Sequence, residues 1–220
     1  LPTKGVKKFI SSFASKKMAN FNRPIGISIG GNTPEEYFEV FKEIENHLNS
    51  LDYPYFFYEI NISCPNTADG KCLSDDLENL KELLLKFRNT SSKVIVVKIS
   101  PDSPDNDIIE ICNILVQIPK TAINIGNSKY VRADEVGLSS KSFSMKGGGL
   151  SGKNLYGNTL RLVQLVSSQY DFPIIATGGV SSYDNVRELL DNGASLTGVA
   201  TLLVTDPFQI PLINYRLSYD

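Results

Sequence analysis

The segment Pro173-Ile174-Ile175-Ala176-Thr177-Gly178-Gly179-Val180 joins a short apolar strand directly to a glycine turn, and it is the strongest indication of the fold. The next apolar segment, Leu196-Thr197-Gly198-Val199, is followed by the small residues Ala200 and Thr201. Such turns after the last two strands are typical of a (β/α)8 barrel, whose phosphate site lies in the loops after strands seven and eight. An open doubly wound sheet would instead carry Gly-x-Gly-x-x-Gly at the start of the helix after its first strand, and no such motif opens a helix there in this sequence.

Six short apolar segments alternate with segments of helical periodicity. Nearly continuous apolar strands of this kind predict a parallel sheet that helices cover on both faces. The predicted strands are Ile25 to Ile29, Phe56 to Ile60, Val94 to Ile99, Ala122 to Ile125, Pro173 to Ala176 and Leu196 to Val199. The predicted helices are Glu35 to Leu48, Asp75 to Phe87, Asp105 to Gln117, Asn158 to Ser168 and Asp184 to Leu190. Helix caps are expected at Thr33, at Ser74-Asp75 and at Ser182.

The strand count predicts an incomplete barrel. If the last two strands are the seventh and eighth, the strand at Ile25 is the third, and the first two are missing. A complete barrel needs about 250 residues, whereas this chain has 220 and begins at Leu1. We therefore expect residues 1–220 to form one barrel domain covering strands three to eight of a longer protein. The polar, glycine-rich segment from Lys129 to Asn154 is expected to be a long functional loop.

The composition describes an ordinary soluble protein, with 41% hydrophobic residues and a net charge of -2. The basic run from Lys4 to Lys17 contains apolar residues at helical spacing, which predicts an amphipathic helix rather than a nucleic-acid surface. No apolar run approaches the roughly 20 residues of a membrane span. Cys64, Cys72 and Cys112 are too irregularly spaced for a disulfide framework or a zinc site, which favours a reducing, cytoplasmic compartment. We expect neither a metal nor a nucleic-acid partner.

The segment after the second predicted strand carries a thiol between two amides. Asn61 and Asn66 can each present a donor and an acceptor to a flat polar ligand. Cys64, once deprotonated, could take a proton from a carbon acid. The alternative is structural, since a buried thiol beside a Pro-Asn turn would explain the same residues.

Two later strand ends also carry polar side chains. Lys98 ends a run of β-branched residues, where a buried ammonium is costly unless it meets an anion or a carbonyl. The alternative is a lysine that extends to solvent at the rim. Asn127 and Ser128 add an amide and a hydroxyl after the next strand, or else form an Asx-type turn. The combination is more specific than any of its parts.

In chain order, these motifs closely resemble the dihydroorotate dehydrogenase family. The motifs are Asn61-Ile62-Ser63-Cys64-Pro65-Asn66, Val97-Lys98, Asn127-Ser128, Gly148-Gly149-Leu150-Ser151-Gly152, Thr177-Gly178-Gly179 and Ala200-Thr201. The resemblance runs from Leu1 almost to the C-terminus. It implies an FMN-containing (β/α)8 barrel that oxidises dihydroorotate to orotate in pyrimidine biosynthesis.

The resemblance also implies residue roles. Cys64 matches the base that removes the C5 proton of dihydroorotate while hydride passes from C6 to flavin N5. Leu1 matches the end of a segment whose backbone amides bind the orotate carboxylate. Lys98 matches a lysine that contacts the flavin ring and stabilises its reduced, anionic form. The residues matching pyrimidine-binding positions are Asn61, Asn66, Asn127 and Ser128. Those matching the FMN phosphate region are Gly152, Gly178, Gly179, Ala200 and Thr201.

The resemblance leaves the electron acceptor open. Cys64 is like the soluble branch of the family, which uses fumarate or, through an iron-sulfur partner subunit, NAD. The quinone-using branch carries serine there, and a thiol with a pKa of about 8.5 is the better base near neutrality. However, Asn66-Thr67 and the segment from Gly149 to Lys153 resemble the quinone branch. Two other functions stay open: another FMN-barrel reductase of the dihydropyrimidine or dihydrouridine type, and a non-catalytic barrel. A homodimer is one expected assembly.

Overall fold

The computed structural model describes residues 5–15, 23–50, 55–63, 73–139 and 147–219. The chain forms two compact units. The first comprises Leu1–Val97 with Gln117–Thr121, and the second comprises Lys98–Val116 with Ala122–Asp220. Within the described residues, no helix is long and apolar enough to cross a membrane.

The first unit is built on parallel strands. Its elements are α1 (Val6–Ser15), β1 (Ile25–Ile29), α2 (Pro34–Ser50), β2 (Phe56–Asn61), α3 (Leu77–Thr90) and the first three residues of β3 (Ile95–Ile99). Strand β1 pairs with β2 from Ile25 opposite Phe56 to Ile29 opposite Ile60. On its other side, β2 is hydrogen-bonded at the start of β3, where the Tyr58 N–H donates to the Val94 carbonyl at 3.0 Å.

An aromatic cluster forms the core of the first unit. The Phe41 and Phe87 rings stack with centroids 4.0 Å apart, and Tyr58 meets Phe41 edge-on at 4.7 Å. All three side chains are fully buried. Pairs of this kind contribute about 0.5–1.5 kcal/mol beyond the burial of their area. They therefore join α2 and α3 to β2.

The second unit carries the remaining strands. Its elements are the end of β3, α4 (Asp105–Leu115), β4 (Thr121–Ile125, of which Thr121 belongs to the first unit), β5 (Lys129–Arg132), β6 (Gly147–Leu150), α5 (Tyr156–Ser167), β7 (Ile174–Thr177), α6 (Tyr183–Asp191), β8 (Leu196–Gly198), α7 (Thr201–Thr205) and α8 (Gln209–Leu217). Strand β7 pairs in parallel with both β4 and β8. The carboxyl ends of these three strands therefore lie at the same edge.

The six strands and five helices predicted from the sequence are confirmed, with ends that differ by at most three residues. Two predicted caps are also confirmed, because Thr33 Oγ1 accepts from the Glu36 N–H and Ser182 Oγ accepts from the Asn185 N–H. The cap predicted at Ser74-Asp75 is wrong. A short 3₁₀ turn occupies Leu73–Asp75, and Asp76 caps α3 by accepting from the Asn79 N–H at 3.1 Å.

The segment predicted as an irregular loop, Lys129 to Asn154, contains secondary structure instead. Strands β5 and β6 form an antiparallel pair in which Lys129 faces Leu150 and Arg132 faces Gly147. The sequence does not predict β6, because Gly147-Gly148-Gly149 has no side chains that could alternate between polar and apolar. The 3₁₀ turn Lys153–Leu155 then leads into α5.

Candidate active site

A cavity of about 220 Å³ lies within the second unit, at the carboxyl ends of β4, β7 and β8. Parallel strands bring residues that are distant in sequence to this edge. The cavity lining includes every candidate residue predicted in this unit, namely Lys98, Asn127, Ser128, Gly152, Gly178, Gly179, Ala200 and Thr201. The fold therefore assembles eight separately predicted residues around one space.

The glycine turn after β7 packs directly on the start of α5. Gly178 and Gly179 have φ angles of +126° and +76°, which residues with a side chain rarely adopt. A Cβ atom at Gly179 would lie 2.3 Å from the Tyr156 nitrogen, and one at Gly178 would lie 2.8 Å from Thr159 Oγ1. Packing inside the protein therefore requires glycine at both positions, whether or not a ligand also approaches this turn.

Tyr156, which packs against the same turn, also links the start of α5 to α6. Its hydroxyl donates to Glu188 Oε2. Burial, followed by this hydrogen bond and the Glu188 charge, raises the pKa of Tyr156 to about 12. The phenol therefore stays protonated near neutrality and keeps donating to the carboxylate.

Gly152 and Thr201 form another part of the lining. Gly152 has a φ of +109°, and its carbonyl accepts from the Leu155 N–H at 3.0 Å, which closes the turn before α5. The nearest atom to a Cβ at Gly152 would be Thr201 Cγ2, at 3.7 Å. Both residues also line a second cavity of about 570 Å³, to which Lys153 contributes. The two cavities thus share a wall.

Lys98 gives the first cavity its charge. It is half-buried near the end of β3 and, among the described residues that line the cavity, it alone carries a formal charge. A concave site with a single cation raises the local concentration of anions. That Lys98 meets an anion or a carbonyl stays a prediction.

Asn127 and Ser128 follow β4 through a turn that only glycine permits. Gly126 has a φ of +133°, and a Cβ there would lie 1.3 Å from the Thr177 carbonyl oxygen. Asn127 Oδ1 accepts from the Ser128 N–H at 2.9 Å. This bond reaches the next residue, whereas an Asx-type turn bonds the residue two positions on, so the Asx-type turn stays a prediction. Both residues line the cavity.

The residue types of the lining suit a flavin phosphate. Three glycines with positive φ angles leave the backbone without side chains, and Thr201 offers a hydroxyl. Backbone N–H groups and hydroxyls are the usual donors to phosphate, and a lysine adds a point charge. A Cβ at Gly178 or Gly179 would disturb this part of the site.

Five further residues line the cavity and were not predicted: Ser151, Leu155, Thr177, Val180 and Gly198. Ser151 and Thr177 lie inside the glycine motifs, so their hydroxyls could have been noted. A Cβ at Gly198 would lie 2.4 Å from Thr177 Oγ1, which explains glycine at the end of β8. Leu155 and Val180 carry no chemical signal in the sequence.

One candidate residue, Asn61, is described and is not among the residues that line this cavity. Asn61 ends β2 in the first unit, where its carbonyl accepts from Tyr37 Oη at 2.7 Å and its Oδ1 accepts from Ser63 Oγ at 2.9 Å. Leu1, Cys64 and Asn66 lie outside the described residues. Their roles stay predictions.

Proteins of similar sequence carry one enzyme name. The chain is 30% identical over 201 residues to dihydroorotate dehydrogenase B (NAD(+)), catalytic subunit, of Shouchella clausii, which covers 91% of this chain and 64% of that protein. It is 31% identical over 214 residues to dihydroorotate dehydrogenase (quinone) of Actinobacillus pleuropneumoniae, which covers 92% and 62%. The chain thus spans less than two thirds of the length of these relatives.

A solved structure is similar in fold. It is the dihydroorotate dehydrogenase of Eimeria tenella in complex with ferulenol, with a TM-score of 0.74 and 19% identity, over 96% of this chain and 61% of that one. This similarity confirms the predicted α/β class and the TIM-barrel type of the fold. The family model for dihydroorotate dehydrogenase matches residues 1–219. The chain belongs to the dihydroorotate dehydrogenase family.

Proposed function

We propose that this protein carries out the FMN-dependent oxidation of dihydroorotate to orotate. Its family is one of flavin enzymes. The observation that carries the proposal is the single cavity lined by all eight candidate residues of the second unit, in which Lys98 is the one charged residue among those described.

The same cavity supports FMN as the flavin. Its phosphate would lie against the glycine turn after β7 and the start of α7, where Gly178, Gly179 and Thr201 line the cavity. Lys98 would contact the flavin ring, where its charge favours an electron-rich ring over a neutral one. When bound, FMN supplies the acceptor for the two electrons that leave the substrate as hydride.

The chain's own residues would hold and deprotonate the substrate. Asn127 and Ser128 are proposed to hold the pyrimidine ring through their amide and hydroxyl groups, as are Asn61 and Asn66. Cys64 is proposed to take the proton from C5. Since only a thiolate can accept that proton, the reaction should accelerate as pH rises toward the pKa of this thiol.

The relatives' names suggest two kinds of electron acceptor. One relative is named for NAD(+) and as a catalytic subunit, and the other is named for quinone. We propose fumarate, or NAD through a partner subunit, ahead of quinone, because position 64 is cysteine rather than serine. The cytoplasmic location and the homodimer stay predictions.

An anaerobic titration tests the proposal. The purified protein should contain about one FMN per chain, and dihydroorotate should bleach the flavin absorbance band with orotate as the product. Adding fumarate, an NAD-linked partner subunit or a quinone should then identify the acceptor that restores the band. Absence of flavin would favour the non-catalytic barrel, whereas bleaching by a dihydropyrimidine without a carboxylate, and not by dihydroorotate, would favour the other reductase.

A further inference from the structure

We propose that Gly149 is a positioning residue for the hydroxyl of Ser128. Because Gly149 has no side chain, the Ser128 side chain can occupy the space next to it, at the edge of the cavity. This inference rests on the proposed function, in which Ser128 helps to hold the pyrimidine ring.

The register of the hairpin places the two residues together. Tyr130 of β5 faces Gly149 of β6. Residues two apart on a strand share a face, so Ser128, two residues before Tyr130, is a diagonal neighbour of Gly149. The two residues are 21 positions apart in sequence, and no local pattern predicts their contact.

The distances leave no room for a methyl group. A Cβ at Gly149 would lie 2.3 Å from Ser128 Oγ and 2.7 Å from Ser128 Cβ. Favourable contacts between carbon atoms lie at about 3.5–4.0 Å. Rotation about χ1 would move the hydroxyl away but would leave the Cβ where it is. An alanine at position 149 must therefore push the backbones of residues 149 and 128 apart.

The surroundings make that displacement costly for the site. The Ser128 N–H is bonded to Asn127 Oδ1, so Asn127 would move with its neighbour. On the other side, the Tyr130 N–H donates to Asp102 Oδ2 at 3.0 Å, which ties β5 to the loop after β3. A shift of Ser128 thus disturbs both candidate ring-holding residues of this unit.

Gly148 provides a matched control. It lies on the opposite face of the same strand, where a Cβ would meet no atom within 4 Å. Neither Gly148 nor Gly149 has a positive φ, so alanine at either position is free of that backbone strain. Both substitutions therefore change the strand propensity in the same way, and only Gly149→Ala creates a close contact with Ser128.

The test is a double-mutant cycle of Gly149→Ala and Ser128→Gly in the flavin-loaded protein, with Gly148→Ala alongside. Orotate affinity is measured from the change in flavin absorbance, and melting temperature is measured without orotate. Gly149→Ala should weaken orotate binding by about tenfold or more, the equivalent of one lost hydrogen bond. Gly148→Ala should bind orotate like the wild type. In the Ser128→Gly background, Gly149→Ala should cause no further loss of affinity and little loss of melting temperature.

Wild-type orotate affinity in Gly149→Ala, or additive losses in the cycle, would overturn the proposal. If Gly149→Ala does not fold, folding of the Ser128→Gly/Gly149→Ala double variant supports the proposal, and its failure to fold refutes it. If Ser128→Gly binds orotate as tightly as the wild type, Ser128 does not have the role given to it in the proposed function. The melting temperatures of the cycle would then decide the Gly149 contact by themselves.

Discussion

Replacing Gly178 by alanine should destabilise the protein and release its flavin. Gly178 has a φ of +126°, and holding another residue in such a strained region costs about 1–3 kcal/mol. The new Cβ would also lie 2.8 Å from Thr159 Oγ1, and Thr159 is only 1% exposed, so its side chain cannot simply turn out into solvent. Overpacking of this kind costs a further ~1–3 kcal/mol.

The two effects together correspond to a fall in melting temperature of roughly 5–20 °C for a chain of this size. Circular dichroism during heating measures the melting temperature, and flavin fluorescence reports release of the cofactor. The double variant Gly178→Ala/Thr159→Ala should recover part of the loss, because it removes the contact and leaves the backbone strain.

Gly157→Ala is the matched control for this prediction. Gly157 lies in the first turn of α5, where a Cβ would meet nothing within 4 Å. Alanine is favoured over glycine in a helix by up to about 1 kcal/mol, so this variant should melt at or above the wild-type temperature. A Gly178→Ala variant that melted within about 2 °C of the wild type and kept its flavin would show that this turn tolerates a side chain.

Three further predictions concern single side chains. Lys98→Met should weaken FMN binding by about tenfold or more, the loss of one hydrogen bond to a charged group, and calorimetric titration showing wild-type affinity would contradict its role. Cys64→Ala should retain FMN but slow flavin reduction by dihydroorotate by at least ~10²-fold in stopped flow, whereas a wild-type rate would remove the assignment of the base. Burial raises the pKa of the Cys112 thiol from its ordinary value of 9.0 to about 12, so its contribution to stability is complete below pH 9 and is lost as pH rises toward 12. Urea unfolding across this range should therefore show a shallower loss of stability in Cys112→Ala, and equal slopes would be inconsistent with a buried thiol.

The sequence predicted the strands well because their signal is local. Strand β4, for example, is buried at every position and appears in the sequence as a short apolar run. The positions of Lys98 and Asn127 followed from the same signal, since residues at the ends of parallel strands meet at one edge. Their common cavity could therefore be expected before the structure was known.

The sequence could not predict contacts that depend on missing side chains. The glycine strand β6 has no alternating pattern, so the sequence does not predict its pairing with β5. Gly178 and Gly179 were predicted from their similarity to phosphate turns, whereas the structure adds their packing against Thr159 and Tyr156. Leu155 lines the cavity with an ordinary apolar side chain that has no chemical signature.

We propose that the cavity of the second unit binds FMN. A crystal structure of the protein grown with FMN tests it most directly. We predict the phosphate within hydrogen-bond distance of the backbone at Gly178, Gly179 and Thr201, with the flavin ring beside Lys98. A structure in which FMN binds elsewhere, or in which this cavity stays empty at saturating FMN, would show that the cavity is not the flavin site.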